Sequence, residues 1–459
     1  MALDEPALRD LERLLGERLT SKQAVREHHG RDESPLPPAS PEAVAFPIST
    51  TEVSQILQIC SRGRVPVIPF GAGTSLEGHV LATRGGLCLD LSLLDQIVEL
   101  NVDDLDVTVE AGVTRKQLDE RLRREGLFFP VDPGADATLG GMVATGASGT
   151  TTVRYGAMRE NVLSLEVVLP DGRVVRTGHR ARKSSAGYDL TRLFLGSEGT
   201  LGVITRATLR VYGTPEAISA AVCHFESVDD AVRTVIATLQ MGVPVARIEF
   251  LDEFGMKAVD GFSGLDFPAA PTLFFEFHGS PAAVAEQAQT VAGIAAEYGS
   301  MDFRSALDHE ERAKLWRARH DAFYASLALR PGSRAITTDV CVPISRLAEC
   351  ILETRRDVEQ NALTTTTVGH VGDGNFHLMI MVDPDDEAEL KVAADINRRL
   401  VERALEMDGT CTGEHGVGLR KIDFLSRELG EGVEVMKSIK RAIDPLNIMN
   451  PGKVLSLTS

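Results

Sequence analysis

Cysteine is scarce in this chain. Six residues (Cys60, Cys88, Cys223, Cys341, Cys350 and Cys411) are spread over 459 positions, and no two form a C-x-x-C pair. That is too few for a disulfide scaffold, and reduced thiols in a cytoplasmic protein are the expectation. Basic residues are in deficit: 48 Lys and Arg stand against 66 Asp and Glu, a formal charge of −18. A protein that tracks nucleic-acid phosphates needs a basic face, so nucleic acid is excluded as a partner. No run approaches the ~20 apolar residues that a membrane span requires. The first thirty residues are a charge-rich amphipathic pattern without an apolar stretch, and Asp4, Glu5, Asp10 and Glu12 count against a mitochondrial presequence. Peripheral membrane contact stays open. No repeat and no low-complexity tail is visible.

Glycine, in contrast, is abundant. Forty-one glycines exceed average usage by roughly a quarter, and glycines cluster where backbone must approach a ligand. At about three times the usual domain length, the chain should hold two or three domains. A helical segment is expected over 1–36 and an α+β domain over 37–215, with an amphipathic helix at 51–62 and strands at VPVIPF, LCLDLSLL, DVTVEAGV, LEVVLPDGRVV and LGVITRATLRVY. Over 216–408, strand and helix patterns alternate as two β-α-β passes with antiparallel-capable strands, which reads as a ferredoxin-like cap domain. Residues 409–459 are too few for a core of their own and should pack back on the earlier domains.

Three glycine-rich segments fall in the 37–215 domain. The first, Phe70-Gly71-Ala72-Gly73-Thr74-Ser75, follows a strand directly. Its backbone N–H groups could form an anion nest for a pyrophosphate. It lacks the G-x-G-x-x-G spacing of a Rossmann unit and the G-K-S/T of a P-loop. The second segment runs from Pro133-Gly134 through Thr138, Gly140 and Gly141 to Thr145, Ala147, Ser148 and Gly149, then Arg154-Tyr155-Gly156. So many small residues expose a line of backbone donors suited to the long body of a flavin. The third is Gly196-Ser197-Glu198-Gly199 through Gly202-Val203-Ile204, which ends in a strand. Any one of these is a plain turn in most proteins, whereas three in one domain point to a cofactor.

Two further clusters carry chemistry. His370-Val371-Gly372-Asp373-Gly374-Asn375-Phe376-His377 lies between two strand-like runs, so a Gly-Asp-Gly turn would set His370 and His377 on facing arms of a hairpin. A histidine at a strand end is most often only hydrogen-bonded. Two imidazoles with the later Glu414, however, form a transition-metal ligand set with open positions. In extended backbone, neighbouring side chains diverge, so Glu414 could ligate while His415 faces a substrate. Zn, Mn and Fe all suit these donors, and Zn or Mn is the expectation. The run Leu315-Trp316-Arg317-Ala318-Arg319-His320 offers a guanidinium fork for a carboxylate.

In order, PFGAGTS, DPGADATLGG, RYG, LPDGR and GSEGTLGVIT resemble the FAD-binding domain of the vanillyl-alcohol oxidase / p-cresol methylhydroxylase flavoprotein family. KSSAGYDLT, RPGSRAITTDVCVPISRL, GHVGDGNFH, TGEHGVGLRK and DPLNIMNPGKVL extend the resemblance over roughly Thr50 to Leu455, to the branch that oxidises D-2-hydroxy acids. The resemblance implies an FAD domain built of two α+β subdomains, a cap domain and a C-terminal segment completing the active site. It implies FAD held non-covalently by the three loops and by Asn450, since the surroundings of His79 do not match the histidine-linked pattern of some relatives. His370, His377 and Glu414 match the family's metal ligands, His415 its base and Arg319 its substrate arginine, with Asn375 able to donate to the substrate. Phe323 and Thr337 stand where D-2-hydroxyglutarate enzymes carry a threonine and a lysine, which favours a short or apolar side chain and hence D-lactate. The alternatives are a glycolate or D-2-hydroxyglutarate enzyme, or a metal-free flavin oxidase. A cytochrome, quinone or electron-transfer flavoprotein would take the electrons, and a homodimer is open.

Overall fold

The computed structural model describes residues 3–361 and 363–457. The first two and last two residues of the expected segments 1–36 and 409–459, and residue 362, lie outside them. The chain divides into two compact units. One comprises residues 1–149, 156–214 and 414–459, and the other residues 150–155 and 215–413.

Among the described residues, the first unit contains two larger sheets and a two-stranded pairing of Leu127–Phe128 with Tyr212–Gly213. In one, strand Ala43–Ala45 runs parallel to Leu87–Asp90, which is also parallel to Val67–Phe70. The crossover between the first and last of these is the helix Thr50–Gly63. Its apolar residues Val53, Ile56, Leu57 and Cys60 recur at the helical period and are all buried, and the Ser49 hydroxyl caps it by accepting from Glu52 N. The other sheet is antiparallel and five-stranded. In order across it lie Ile97–Asn101, Asp106–Glu110, Val203–Arg210, Val162–Val168 and Val174–Arg176. Its inner face packs Val107, Val109, Leu165, Val167 and Leu209 against Leu139, Met142 and Val143.

Those last three residues lie inside the second glycine-rich segment, which is not the continuous loop its composition suggests. Leu139–Thr145 is a helix, capped by the Thr138 hydroxyl and ended by Gly146 at φ +69. Glycine is a poor helix former, yet a Cβ on Gly140 would come 2.6 Å from that of Ala111. Close packing therefore demands glycine there, and burial of the apolar face outweighs the propensity.

The C-terminal stretch returns to the first unit. Val67 N donates to Ile448 O and Asn450 N to Val67 O, both at 2.8 Å, which docks the chain on the edge of strand Val67–Phe70. Lys453 is buried here, with its ammonium donating to Leu81 O. Burial, reinforced by the charge of Arg84, pulls its pKa down to about 7. The unfolded chain thus binds one more proton than the native one between about pH 7 and pH 10. Stability is expected to rise with pH across that window and to fall as pH drops toward 7. Lys453→Met should flatten the trend, and thermal melts of both proteins at pH 7, 8.5 and 10 check this.

The second unit is built on one antiparallel sheet. Its strands Ala217–His224, Val245–Leu251, Thr272–Gly279 and Asp302–Ala306 are joined by helices Val228–Gln240 and Pro281–Glu297, with the spatial order fourth, first, third, second. That is the ferredoxin-like order. The sheet does not stop there: the hairpin Thr364–His370 / Asn375–Val382 joins at the edge of Val245–Leu251, and Arg334–Thr337 continues beyond it. Helix His309–Ala328 contributes Trp316, Ala318 and Ala322 to the core beside Phe274 and Met379.

Candidate functional site

In the second unit the hairpin pairs His370 with Asn375 and Val368 with His377. His370 and His377 are thus diagonal neighbours on one face, and their rings meet edge to face at 5.5 Å between centroids. The turn between them needs Gly374, whose φ is +80 and whose Cβ would collide with Val342 O at 2.1 Å. Each ring is oriented from behind. His370 Nδ1 lies 2.7 Å from Glu249 Oε1, and His377 Nδ1 lies 2.9 Å from Thr338 O. With Nδ1 engaged, Nε2 is the nitrogen that each ring would offer an ion. A carboxylate or carbonyl behind the imidazole is the usual support of a ligating histidine.

Glu249 was not singled out from the sequence. It sits in the apolar strand VARIEFL, and an acid within such a run was the available signal. Its side chain is fully buried, and its second oxygen, Oε2, accepts from Arg319 Nε at 2.7 Å. Burial alone would push the Glu249 carboxyl up, but the adjoining His370 and Arg319 charges hold it below the ordinary carboxylate range. Arg317, two residues before Arg319 on the same helix, is exposed. Asn375 is buried, and its Nδ2 donates to Asp339 Oδ1 at 2.9 Å and to Val340 O at 2.8 Å. The donor role read from the sequence is therefore spent within the protein, while Asn375 Oδ1 is a buried acceptor with no hydrogen bond among the described residues. Tyr155 also belongs to this unit, with its hydroxyl 2.8 Å from His278 Nδ1.

The first unit gathers the remaining residues. Phe70 ends its strand, and Gly71, Ala72, Gly73, Thr74 and Ser75 form the loop after it, with Gly73 at φ +68. A Cβ on Gly71 would meet the Thr138 hydroxyl at 2.3 Å, so the first and second glycine segments lie against each other. Pro133 and Gly134 precede the helix that carries Gly140, Gly141 and Thr145, and Ala147, Ser148 and Gly149 follow it. Glu198 and Gly199 turn at φ +53 and +71 before Gly202 leads into the strand that opens with Val203 and Ile204. Asn450 ties these parts together, since its Nδ2 donates to His79 O at 3.0 Å and to Glu198 O at 2.8 Å. Its Oδ1 is buried without a hydrogen bond among the described residues, an acceptor that a ligand N–H would satisfy. Three glycine-lined segments with such an acceptor fit a flavin.

Glu414 and His415 are in this unit as well. Glu414 Oε2 accepts from the Ser148 hydroxyl at 2.7 Å, which links the acid to the second glycine segment. His415 Nδ1 lies 3.5 Å from Glu77 Oε1. Glu77, another acid missed in the sequence, is 1 % exposed, with Arg420 at 3.1 Å and Lys421 at 3.4 Å. Burial would raise its pKa, but Lys421, His415 and Arg420 together hold it low. Glu198 accepts from Val417 N at 2.7 Å and Gly418 N at 2.8 Å, which fixes the loop just after His415.

Residues 41–178 match the family model of an FAD binding domain, and residues 214–454 match that of the C-terminal domain of FAD linked oxidases. The chain is 56% identical over 439 residues to a probable mitochondrial D-lactate dehydrogenase of Danio rerio, covering 95% of this chain and 88% of the relative. It is 48% identical to the mitochondrial D-lactate dehydrogenase [cytochrome] of Arabidopsis thaliana, covering 97% and 79%. Among solved structures, p-cresol methylhydroxylase with substrate bound superposes with a TM-score of 0.80 at 18% identity, over 99% of this chain and 97% of that one, which is a likeness of fold. No helix among the described residues is long and apolar enough to cross a membrane.

Proposed function

Because the chain belongs to the FAD-linked oxidase family and is an FAD-dependent oxidoreductase of the D-2-hydroxy-acid dehydrogenase type, we propose that it oxidises D-lactate to the 2-oxo acid with a divalent metal, Zn or Mn, as a second cofactor. The observation that carries this reading is the buried Glu249 carboxylate, which holds a candidate substrate arginine and a candidate metal-ligating histidine at 2.7 Å each. His370 and His377 through Nε2, with Glu414, would hold the ion. Phe70 to Ser75, the helix-bearing second segment, Tyr155, Glu198 to Ile204 and Asn450 would hold FAD. When bound, FAD supplies the acceptor for the hydride, and the ion a Lewis acid that eases ionisation of the substrate hydroxyl.

The chain's own residues do the rest. Arg319 Nε is donated to Glu249, so its two terminal Nη groups are those that would grip the substrate carboxylate bidentately. That grip fixes where the single Cα hydrogen points, and so selects the D enantiomer by position. His415, whose Nδ1 faces Glu77, would accept the hydroxyl proton at Nε2 as the Cα–H bond breaks. Asn375 would present Oδ1 to the substrate as an acceptor. Phe323, one helical turn after Arg319, supports a short apolar substrate tail over a second carboxylate. We assign the onward electrons to a cytochrome, quinone or electron-transfer flavoprotein. The scarcity of cysteine and the lack of any C-x-x-C pair support a reducing compartment, cytoplasmic in the first instance.

Anaerobic mixing with D- and L-lactate, glycolate and D-2-hydroxyglutarate tests the substrate. D-Lactate is expected to bleach the flavin at least tenfold faster than the others. Faster bleaching by glycolate or D-2-hydroxyglutarate would replace the substrate and leave the flavoenzyme.

A further inference from the structure

Glu249 is buried and touches none of the reacting groups in the chemistry above. A carboxylate taken wholly out of water is costly unless both oxygens are paired. Here they are divided: Oε1 serves His370 on the hairpin, and Oε2 serves Arg319 on helix His309–Ala328. These two elements meet Glu249 from different parts of the sequence, 121 and 70 residues away. The strand bearing Glu249 lies directly beside the hairpin arm, pairing Phe250 with Gly369. The carboxylate is therefore seated on the sheet's own framework, and its angle is set by the two partners acting together.

We propose that Glu249 is a positioning residue that couples the substrate-carboxylate arginine to the metal-binding histidine, so that loss of either partner weakens the other's ligand. This rests on the assignment of Arg319 and His370 made above. With both partners in place, Glu249 fixes His370 in the tautomer that presents Nε2 and holds the Arg319 fork at one angle. Without Arg319, the carboxylate is anchored through Oε1 alone and can turn about its side-chain bonds, so the angle at which it holds the His370 ring is no longer fixed. Glutamine in its place can accept from one partner only, because its amide nitrogen opposes a second donor.

Mn²⁺ titrated into metal-depleted flavoprotein, with free Mn²⁺ read by electron paramagnetic resonance, measures one side of the coupling. Half-saturation by D-lactate in anaerobic flavin reduction measures the other. Glu249→Gln is expected to raise both concentrations by about 10- to 100-fold with flavin content unchanged. Glu249→Asp, which keeps the charge, should recover part of the loss. Arg319→Leu needs no change at Glu249 and is expected to weaken Mn²⁺ at least fivefold, with no further effect when added to Glu249→Gln. Mn²⁺ affinity within twofold of the parent in Arg319→Leu overturns the coupling, as do unchanged constants in a folded Glu249→Gln. The underlying assignment has its own control: if His370→Ala binds Mn²⁺ normally, the ligand set is wrong, and the inference falls with it. If His370→Ala loses Mn²⁺ while Glu249→Gln does not, only the role of Glu249 is overturned.

Discussion

Replacing His415 by alanine is expected to slow flavin reduction by D-lactate about 10²- to 10⁴-fold, the usual contribution of a positioned general base, while the protein keeps its bound yellow cofactor. Two facts set that expectation. Glu77 stands 3.5 Å from His415 Nδ1 and is itself pinned by Arg420 and Lys421, so one ring nitrogen is oriented and the other is committed to the opposite side. Glu198 holds the backbone just beyond, at Val417 and Gly418, and this anchor survives the substitution because it uses main-chain groups. Flavin retention should accordingly be that of the parent. Stopped-flow reduction under nitrogen gives the rate, and a value within tenfold of the parent would remove His415 from the proton transfer.

Stripping divalent metal is expected to suppress turnover by more than about 100-fold without releasing FAD, since a Lewis acid lowers the hydroxyl pKa by several units. The residues proposed for the ion are not those proposed for the flavin, apart from the bond of Ser148 to Glu414. Dialysis against a chelator, followed by elemental analysis, absorbance and turnover, separates the two losses. Readdition of Mn²⁺ or Zn²⁺ should restore the rate. Full turnover in protein shown to be metal-free would favour the metal-free flavin oxidase instead, with the two histidines serving only to hold the hairpin.

Regular elements were legible wherever one face is buried and the period is clean. The helix over 50–63 and the strand–helix alternation from 217 onward announce themselves because each buries a continuous apolar stripe. The hairpin at His370 to His377 was readable for a different reason: Gly374 occupies a position where no side chain fits. The helix over 139–145 was not readable. Its glycines and threonines carry loop propensity, and only close packing against Ala111 explains them. Nor does any local pattern reveal that residues 150–155 leave the first unit for the second.

Sequence alone determined the class of this protein: an FAD-type glycine framework, an antiparallel cap and a set of histidines, acids and arginines suited to hydroxy-acid chemistry. Those signals are local, because turn geometry and side-chain period act over a few residues. The tertiary structure decided which acids are buried beside the candidate site residues. Glu249 and Glu77 look in the sequence like any other of the 66 carboxylates. The role proposed for them rests on partners up to 344 residues away, because a buried charge must be neutralised by whatever the fold brings beside it, and chain order does not record that.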